Sequence, residues 1–193
     1  MRIVGGTAKG RRLKSPKTAG TRPVIDRVKT ALFDILGARV SGARFLDLFA
    51  GTGSVGLEAL SRGAARATFV EMSHQVVAVL RDNVRATGLG DRADIMQGDA
   101  FRFLDQAAAQ GRQYDMVYIA PPQYHQMAAR ALAQVDRLPI MSDGALAIVQ
   151  IFPKERVDLE QVSLRAFRLV DERRYGSTLL LFYEHQPPDA PAD

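Results

Sequence analysis

The chain has 193 residues, 47% of them hydrophobic and 24% charged, with no cysteine and a net charge of +5. This is the length of one ordinary domain and the composition of a globular protein, which excludes a disordered chain, disulfides, thiolate metal sites and cysteine nucleophiles. No apolar stretch reaches the roughly 18 residues of a membrane-spanning helix, and Met1–Gly6 opens no signal peptide, so the expected compartment is the cytoplasm.

In chain order, the first 40 residues predict an appended β-element over Arg2–Leu13, a loop, and a helix from Ile25 to Leu36. Residues 1–44 hold 11 Lys or Arg against only Asp26 and Asp34, a local charge of +9, which leaves residues 45–193 at −4. A positive field at one end of a chain suits a polyanion such as nucleic acid; the bland alternative is a solvated basic tail. From residue 44 on, apolar runs alternate with helical stretches. Arg44–Phe49 predicts a strand, Ser54–Arg62 a helix capped by Ser54 and stopped by Gly63, and Ala67–Glu71 a second strand. Ser73 caps a longer helix to about Ala86, with Val76, Val77, Leu80 and Val84 at helical spacing, ended by Gly88 and Gly90. A short strand over Ala93–Gln97, a helix over Ala100–Ala109 and a strand over Tyr114–Ile119, stopped by Pro121-Pro122, come next. A helix over Tyr124–Val135 leads to a continuously apolar strand, Ala145–Ile151, as expected for one covered on both faces. Ser163–Glu172 and Thr178–Glu184 are β-rich runs joined so tightly around Gly176 that they must pair antiparallel. Residues 187–193, with Pro187, Pro188 and Pro191, read as a frayed tail. Strand and helix alternating in this way predict an α/β fold with a mainly parallel sheet.

The chemistry concentrates where the first strand enters a glycine turn, Asp47-Leu48-Phe49-Ala50-Gly51-Thr52-Gly53-Ser54-Val55-Gly56. Parallel sheets bind ligands at the carboxyl ends of their strands, and Gly51-x-Gly53-x-x-Gly56 with Glu71 further on also fits a dinucleotide fingerprint. Two further acids favour another ligand. Asp47, before the glycines, would repel a pyrophosphate but hold an ammonium, directly or through water. Asp99, after the third strand, has a carboxylate able to accept from an adenine amine. Ammonium, ribose hydroxyls and adenine together describe S-adenosylmethionine. The alternative for each acid is simple capping of the helix that follows it.

The stretch Phe45-Leu46-Asp47-Leu48-Phe49-Ala50-Gly51-Thr52-Gly53 resembles the first cofactor motif of class I S-adenosylmethionine-dependent methyltransferases. Arg2-Ile3-Val4-Gly5-Gly6, Gly10-Arg11-Arg12-Leu13, Thr21-Arg22-Pro23, Asp26-Arg27-Val28, Ala31-Leu32-Phe33 and Gly56–Ala64 resemble, more narrowly, the small-subunit ribosomal RNA guanine-N2 methyltransferase family. The resemblance covers residues 1 to about 122 well and the remainder only in pattern. It implies a Rossmann-like, seven-stranded, mainly parallel sheet whose last strand is antiparallel. A basic N-terminal extension (1–40) would pack on a methyltransferase domain (41–186) and contact RNA. It further implies methyl transfer to the exocyclic N2 of a guanine in 16S ribosomal RNA, with the RNA or a partly assembled small subunit as partner; nothing in the sequence requires more than a monomer, and no metal is expected. Carried over by position, Asp47, Phe49, Ala50, Gly51, Thr52, Gly53, Glu71, Met72, Asp99 and Ala100 would line the cofactor. Arg11, Arg12, Lys14, Arg22 and Arg27 would meet RNA, and Ala120, Pro121, Pro122, Gln123 and Tyr124 would form the catalytic segment.

That last segment departs from its family. Methyltransferases acting on exocyclic amines usually carry Asn or Asp, then Pro-Pro, then an aromatic residue. Here Ala120 replaces the acceptor and Gln123 the aromatic, with Tyr124 one place later. A shifted but working motif is the expectation. Two alternatives remain: methylation of DNA or another amine on the same fold, and a catalytically decayed RNA-binding assembly factor, which Ala120 supports. His74, His125 and His185 have no metal-ligand spacing.

Overall fold

The computed structural model describes residues 1–15, 26–122 and 126–186. They fall into two compact units, Met1–Phe103 and Leu104–Asp193.

In the first unit, α1 (Asp26–Leu36) leads through a 3₁₀ turn to β1 (Arg44–Asp47), α2 (Ser54–Ser61), β2 (Arg66–Glu71), α3 (His74–Thr87) and β3 (Ala93–Gln97). The strands lie in the order β3-β2-β1, all parallel. The register sets Asp47 beside Phe69 and Glu71 beside Gln97, so the acids that end β1 and β2 emerge at the same edge of the sheet. Every residue of α2 is buried, which explains why its sequence is apolar almost all round. Two expectations change. Ser54 does not cap α2; Gly53 does, in the left-handed region at φ 80°, and Ser54 lies inside the first turn. The β-element over Arg2–Leu13 contracts to a single antiparallel bridge, Arg2 to Arg12, flanked by backbone bonds such as Ile3 N–H to Arg11 O. Ser73 does cap α3, accepting from Val76 N–H, and Gly88 ends it at φ 72°.

α4 (Ala100–Ala109) carries the chain onward. The second unit holds β4 (Tyr114–Ile119), α5 (Met127–Arg137), β5 (Met141–Ile151), α6 (Arg156–Glu160), β6 (Phe167–Tyr175) and β7 (Thr178–His185), in sheet order β4-β5-β7-β6. β4 and β5 are parallel; β7 runs antiparallel to both β5 and β6. Among the described residues there are therefore seven strands, five parallel in local pairing and the last reversed, as the resemblance implies. β6 starts four residues later than expected, because the N–H groups of Arg165 and Ala166 are taken by the Asp136 carboxylate instead of a strand neighbour. The short α6 before it was not expected from the sequence. β5 starts earlier, at Met141, and α5 ends later, at Arg137. The opening residues of the helix expected from Tyr124, and the tail 187–193, lie outside the described residues.

Candidate active site

The glycine bend is held by carboxylates. Asp47 closes β1 with only 2% of its surface exposed. Its Oδ2 accepts from Gly56 N–H at 3.0 Å, so the strand end is tied to the first turn of α2. Burial pushes its carboxyl up to about 7, the Gly56 bond opposes that, and the neighbouring Glu71 charge adds to it. An ammonium brought beside Asp47 would favour the charged form and lower that value. Glu71 straps the bend from β2: Oε2 accepts from Gly51 N–H at 3.0 Å and Oε1 from Ser73 N–H at 2.8 Å. Ala50 N–H donates to Val70 O and Gly53 N–H to Ala50 O, both at 2.8 Å. The bend needs small residues for two reasons. A Cβ on Gly56 would meet the Phe69 ring at 2.3 Å, so this glycine lets α2 lie against β2. Gly51 has φ 53°, and a Cβ there would meet no atom within 4 Å; it borders open space.

Asp99 follows β3. Its Oδ1 accepts from Arg102 N–H at 3.0 Å and so caps α4, while Gly98 N–H donates to Glu71 O at 3.0 Å and ties this turn to the end of β2. The capping reading of Asp99 is thus realised in the structure, and it fixes the side chain in place. Met72, next to Glu71, leaves 72% of its surface exposed, an apolar side chain facing water. Phe49 and Phe101 meet edge to face at 6.3 Å. Ala50, Thr52 and Ala100 are buried.

Four residues of this unit were not singled out from sequence. Lys29 is wholly buried and pairs with Glu58 at 3.4 Å; its ammonium also donates to Arg2 O at 2.6 Å and Ser54 Oγ at 3.0 Å. Burial lowers the Lys29 pKa and Glu58 opposes that. Glu58 receives Val4 N–H and Gly5 N–H, each at 2.8 Å, and Arg62 Nε at 2.8 Å. Ser61 accepts from Ala8 N–H and donates to Gly5 O. The N-terminal segment therefore lies on α2 through its backbone, and Gly6 permits it: a Cβ there would sit 1.8 Å from Ser61 O. Asn83, on α3, completes the clasp. Its Oδ1 accepts from Lys14 N–H at 2.7 Å, and its Nδ2 donates to Lys14 O at 3.1 Å and to Thr52 O at 2.9 Å. One buried amide thus holds both the basic segment and the glycine bend. The available signal was Glu58 itself, a lone acid in an apolar helix, which demands a buried partner.

Of the expected RNA contacts, Arg11, Arg12, Lys14 and Arg27 are exposed. Lys14 Nζ pairs with Asp82 at 2.8 Å. Lys29 is withdrawn from the positive surface. Arg22 lies outside the described residues. In the second unit, Ala120, Pro121 and Pro122 leave the end of β4, with Pro122 exposed; Gln123 and Tyr124 lie outside the described residues. Among the described residues no group of His, Asp and Glu is arranged to hold a metal ion, and no helix is long and apolar enough to cross a membrane.

Residues 1–184 match the family described as conserved hypothetical protein 95. The chain is 36% identical over 150 residues to the ribosomal RNA small subunit methyltransferase D of Escherichia coli K12, covering 78% of this chain and 74% of that protein. It superposes on a hypothetical protein of Thermus thermophilus with a TM-score of 0.79 and 36% identity, over 94% of this chain and 98% of that one. An RNA methyltransferase from Salinibacter ruber, solved with S-adenosyl-L-homocysteine, shares the fold at a TM-score of 0.67 and 18% identity, over 89% and 98% of the two chains.

Proposed function

Because the chain belongs to the conserved hypothetical protein 95 family and is homologous to small-subunit ribosomal RNA methyltransferase D, we propose that it methylates the exocyclic N2 of a guanine in 16S ribosomal RNA. It is a methyltransferase that uses S-adenosylmethionine. The 36% identity to a ribosomal RNA small subunit methyltransferase D carries the reading, and the family match over residues 1–184 spans the glycine bend, the N-terminal clasp and the proline segment together. On this reading it acts as a cytoplasmic monomer on the RNA or on a partly assembled small subunit.

The residues present fit the cofactor. Asp47 supplies a carboxylate for the ammonium. Glu71, already anchored to Gly51 N–H and Ser73 N–H, has lone pairs remaining for ribose hydroxyls. Asp99 would accept from the adenine amine, and exposed Met72 would offer an apolar face for the base. Bound there, the cofactor contributes an electrophilic methyl group on a sulfonium. Around the amine, the protein orients. Two acceptors take the N2 hydrogens so that the nitrogen lone pair points at the methyl carbon. The Pro121 carbonyl is one, and the Gln123 amide oxygen replaces the side chain that Ala120 lacks. Tyr124 stacks on the guanine, which must leave its own stack to be reached. The amine would need no strong base: its proton becomes acidic only once the nitrogen carries positive charge, and it would then pass to water. Arg11, Arg12, Lys14, Arg22 and Arg27 hold phosphates.

Tritiated methyl transfer to 16S RNA and, separately, to DNA tests the reading. RNA is expected to be labelled and DNA not. Gln123→Ala and Tyr124→Ala are each expected to slow turnover by about tenfold or more while cofactor affinity stays unchanged. The second reading, a decayed assembly factor, rests on Ala120. It predicts cofactor binding without turnover on any RNA, and recovery of turnover in Ala120→Asn.

A further inference from the structure

The outer face of α5 borders a groove of about 500 Å³ whose opposite wall is Asp158 and residues 161–165. Three arginines line it: Arg130 and Arg137 from α5 and Arg165 from the segment before β6. All three are exposed. Arg130 and Arg137 lie seven residues apart, two helical turns, so they share one face at about 10 Å separation along the axis. The groove is charged against the trend of its surroundings, since residues 45–193 carry −4 overall.

Among the described residues, the groove lining carries three arginines against one acid. Among the described residues, Asp158 is the one acid lining the groove, and it accepts from Gln126 Nε2 at 3.5 Å. Asp136, on α5, is only 8% exposed and points away into the backbone. Its carboxylate accepts from Arg165 N–H at 2.7 Å, Ala166 N–H at 2.9 Å and Phe167 N–H at 3.0 Å. Three backbone donors on one buried carboxylate lock the wall that carries Arg165 to the helix that carries Arg130 and Arg137. The groove is therefore built before any ligand arrives, and its net charge is positive.

We propose that this groove is a second RNA-contact site that takes the phosphodiester backbone of the substrate. The inference rests on the reading of the chain as an RNA methyltransferase. A planar guanidinium suits a phosphate better than an ammonium does, and an open, preorganised row of three suits a continuous backbone better than a single small anion. Chain order supplies the register. α5 begins three residues after Tyr124, so the helix that leaves the base-stacking segment is the helix that carries the arginines. Basic residues of the N-terminal segment would then hold one stretch of RNA and this groove another.

The test is a salt titration of binding to a 16S RNA fragment, with cofactor affinity measured in parallel by calorimetry. In the triple variant Arg130→Gln, Arg137→Gln, Arg165→Gln, affinity is expected to fall by about tenfold or more, and the log–log salt slope to become shallower by about 2, three contacts at roughly 0.7 each. Cofactor affinity is expected to stay unchanged. Asp158→Lys provides the opposite sign, with tighter binding and a steeper slope, and keeps the test decisive should the triple variant fold poorly. RNA affinity and slope identical to wild type in both variants, with wild type still methylating RNA, would overturn the groove alone. A wild-type chain that neither binds nor methylates RNA would overturn the groove and the proposed function together. Loss of affinity for an acidic ribosomal protein but not for RNA would assign the arginines to a protein partner and overturn the proposal.

Discussion

Two buried carboxylates that meet α2, Glu58 within it and Asp47 at the end of β1, are treated in opposite ways. Glu58 is saturated: it holds a buried ammonium, a guanidinium and two backbone N–H groups. Asp47, at the end of β1, has one donor among the described residues, the Gly56 N–H, and burial pushes its carboxyl up to about 7. Glu58 is fully compensated and serves to bind one piece of the chain to another. Asp47 is under-compensated and so is poised to gain from an incoming cation. A buried acid with all its partners supplied from within reads as architecture; one left short reads as a site.

The largest expected effect tests the architectural half. Glu58→Ala strands Lys29 in a dry environment and releases Val4 and Gly5 N–H, so unfolding free energy in a denaturant titration is expected to drop by about 3–5 kcal/mol. A loss under about 1 kcal/mol would show that the N-terminal segment docks without it.

Asp47→Asn tests the other half and has a pH signature. With its folded value raised, wild-type Asp47 favours the folded state below the ordinary carboxylate range near 4 and loses that advantage as pH rises through about 7. The Asn variant does not titrate. It is therefore expected to match wild type near pH 4 and to exceed it by up to about 4 kcal/mol at pH 8, while cofactor affinity falls by about tenfold or more. Denaturation midpoints that differ equally at pH 5 and pH 8 would contradict the assignment.

Asn83→Ala sharpens the comparison, because this residue touches both halves. Thr52 O and both backbone groups of Lys14 lose their partner, at a cost of about 1–3 kcal/mol. Cofactor affinity is expected to fall several-fold at a temperature where the variant is fully folded. Asn83→Asp keeps the acceptor for Lys14 N–H but loses both donations, to Lys14 O and to Thr52 O, so its affinity is expected to fall as far while one of the two bonds to the N-terminal segment survives. The smallest effect belongs to the exposed pair of Arg66 and Asp94, 2.5 Å apart: Arg66→Ala is expected to leave the melting temperature and cofactor binding unmoved.

The candidate cofactor residues were legible because their signals are local. An acid at a strand end, glycines at fixed spacing and a cap before a helix all act within a few residues. The clasp was not legible, because its bonds join residues 54 positions apart, Val4 to Glu58, and 69 positions apart, Lys14 to Asn83. The basic N-terminal stretch shows the same divide. Its charge count was plain, but nothing in the spacing of Arg27, Val28 and Lys29 tells which cation meets solvent and which is sealed beneath the chain. Asp136 is the counterpart in the second unit, an ordinary acid near the end of an amphipathic helix until three backbone N–H groups are found on it.

Hydrophobic periodicity and turn chemistry were enough to specify the alternation of strands and helices, the parallel pairing that short helical crossovers impose, the antiparallel final hairpin and the glycine bend with its acids. Each depends on steric preferences within a single element or turn. Only the folded chain decided which polar groups lose their water: that Lys29 is neutralised by Glu58, that Asn83 spans two segments, and that Asp47 is left with one donor. Desolvation is a property of everything packed around a group, and those neighbours come from distant parts of the sequence.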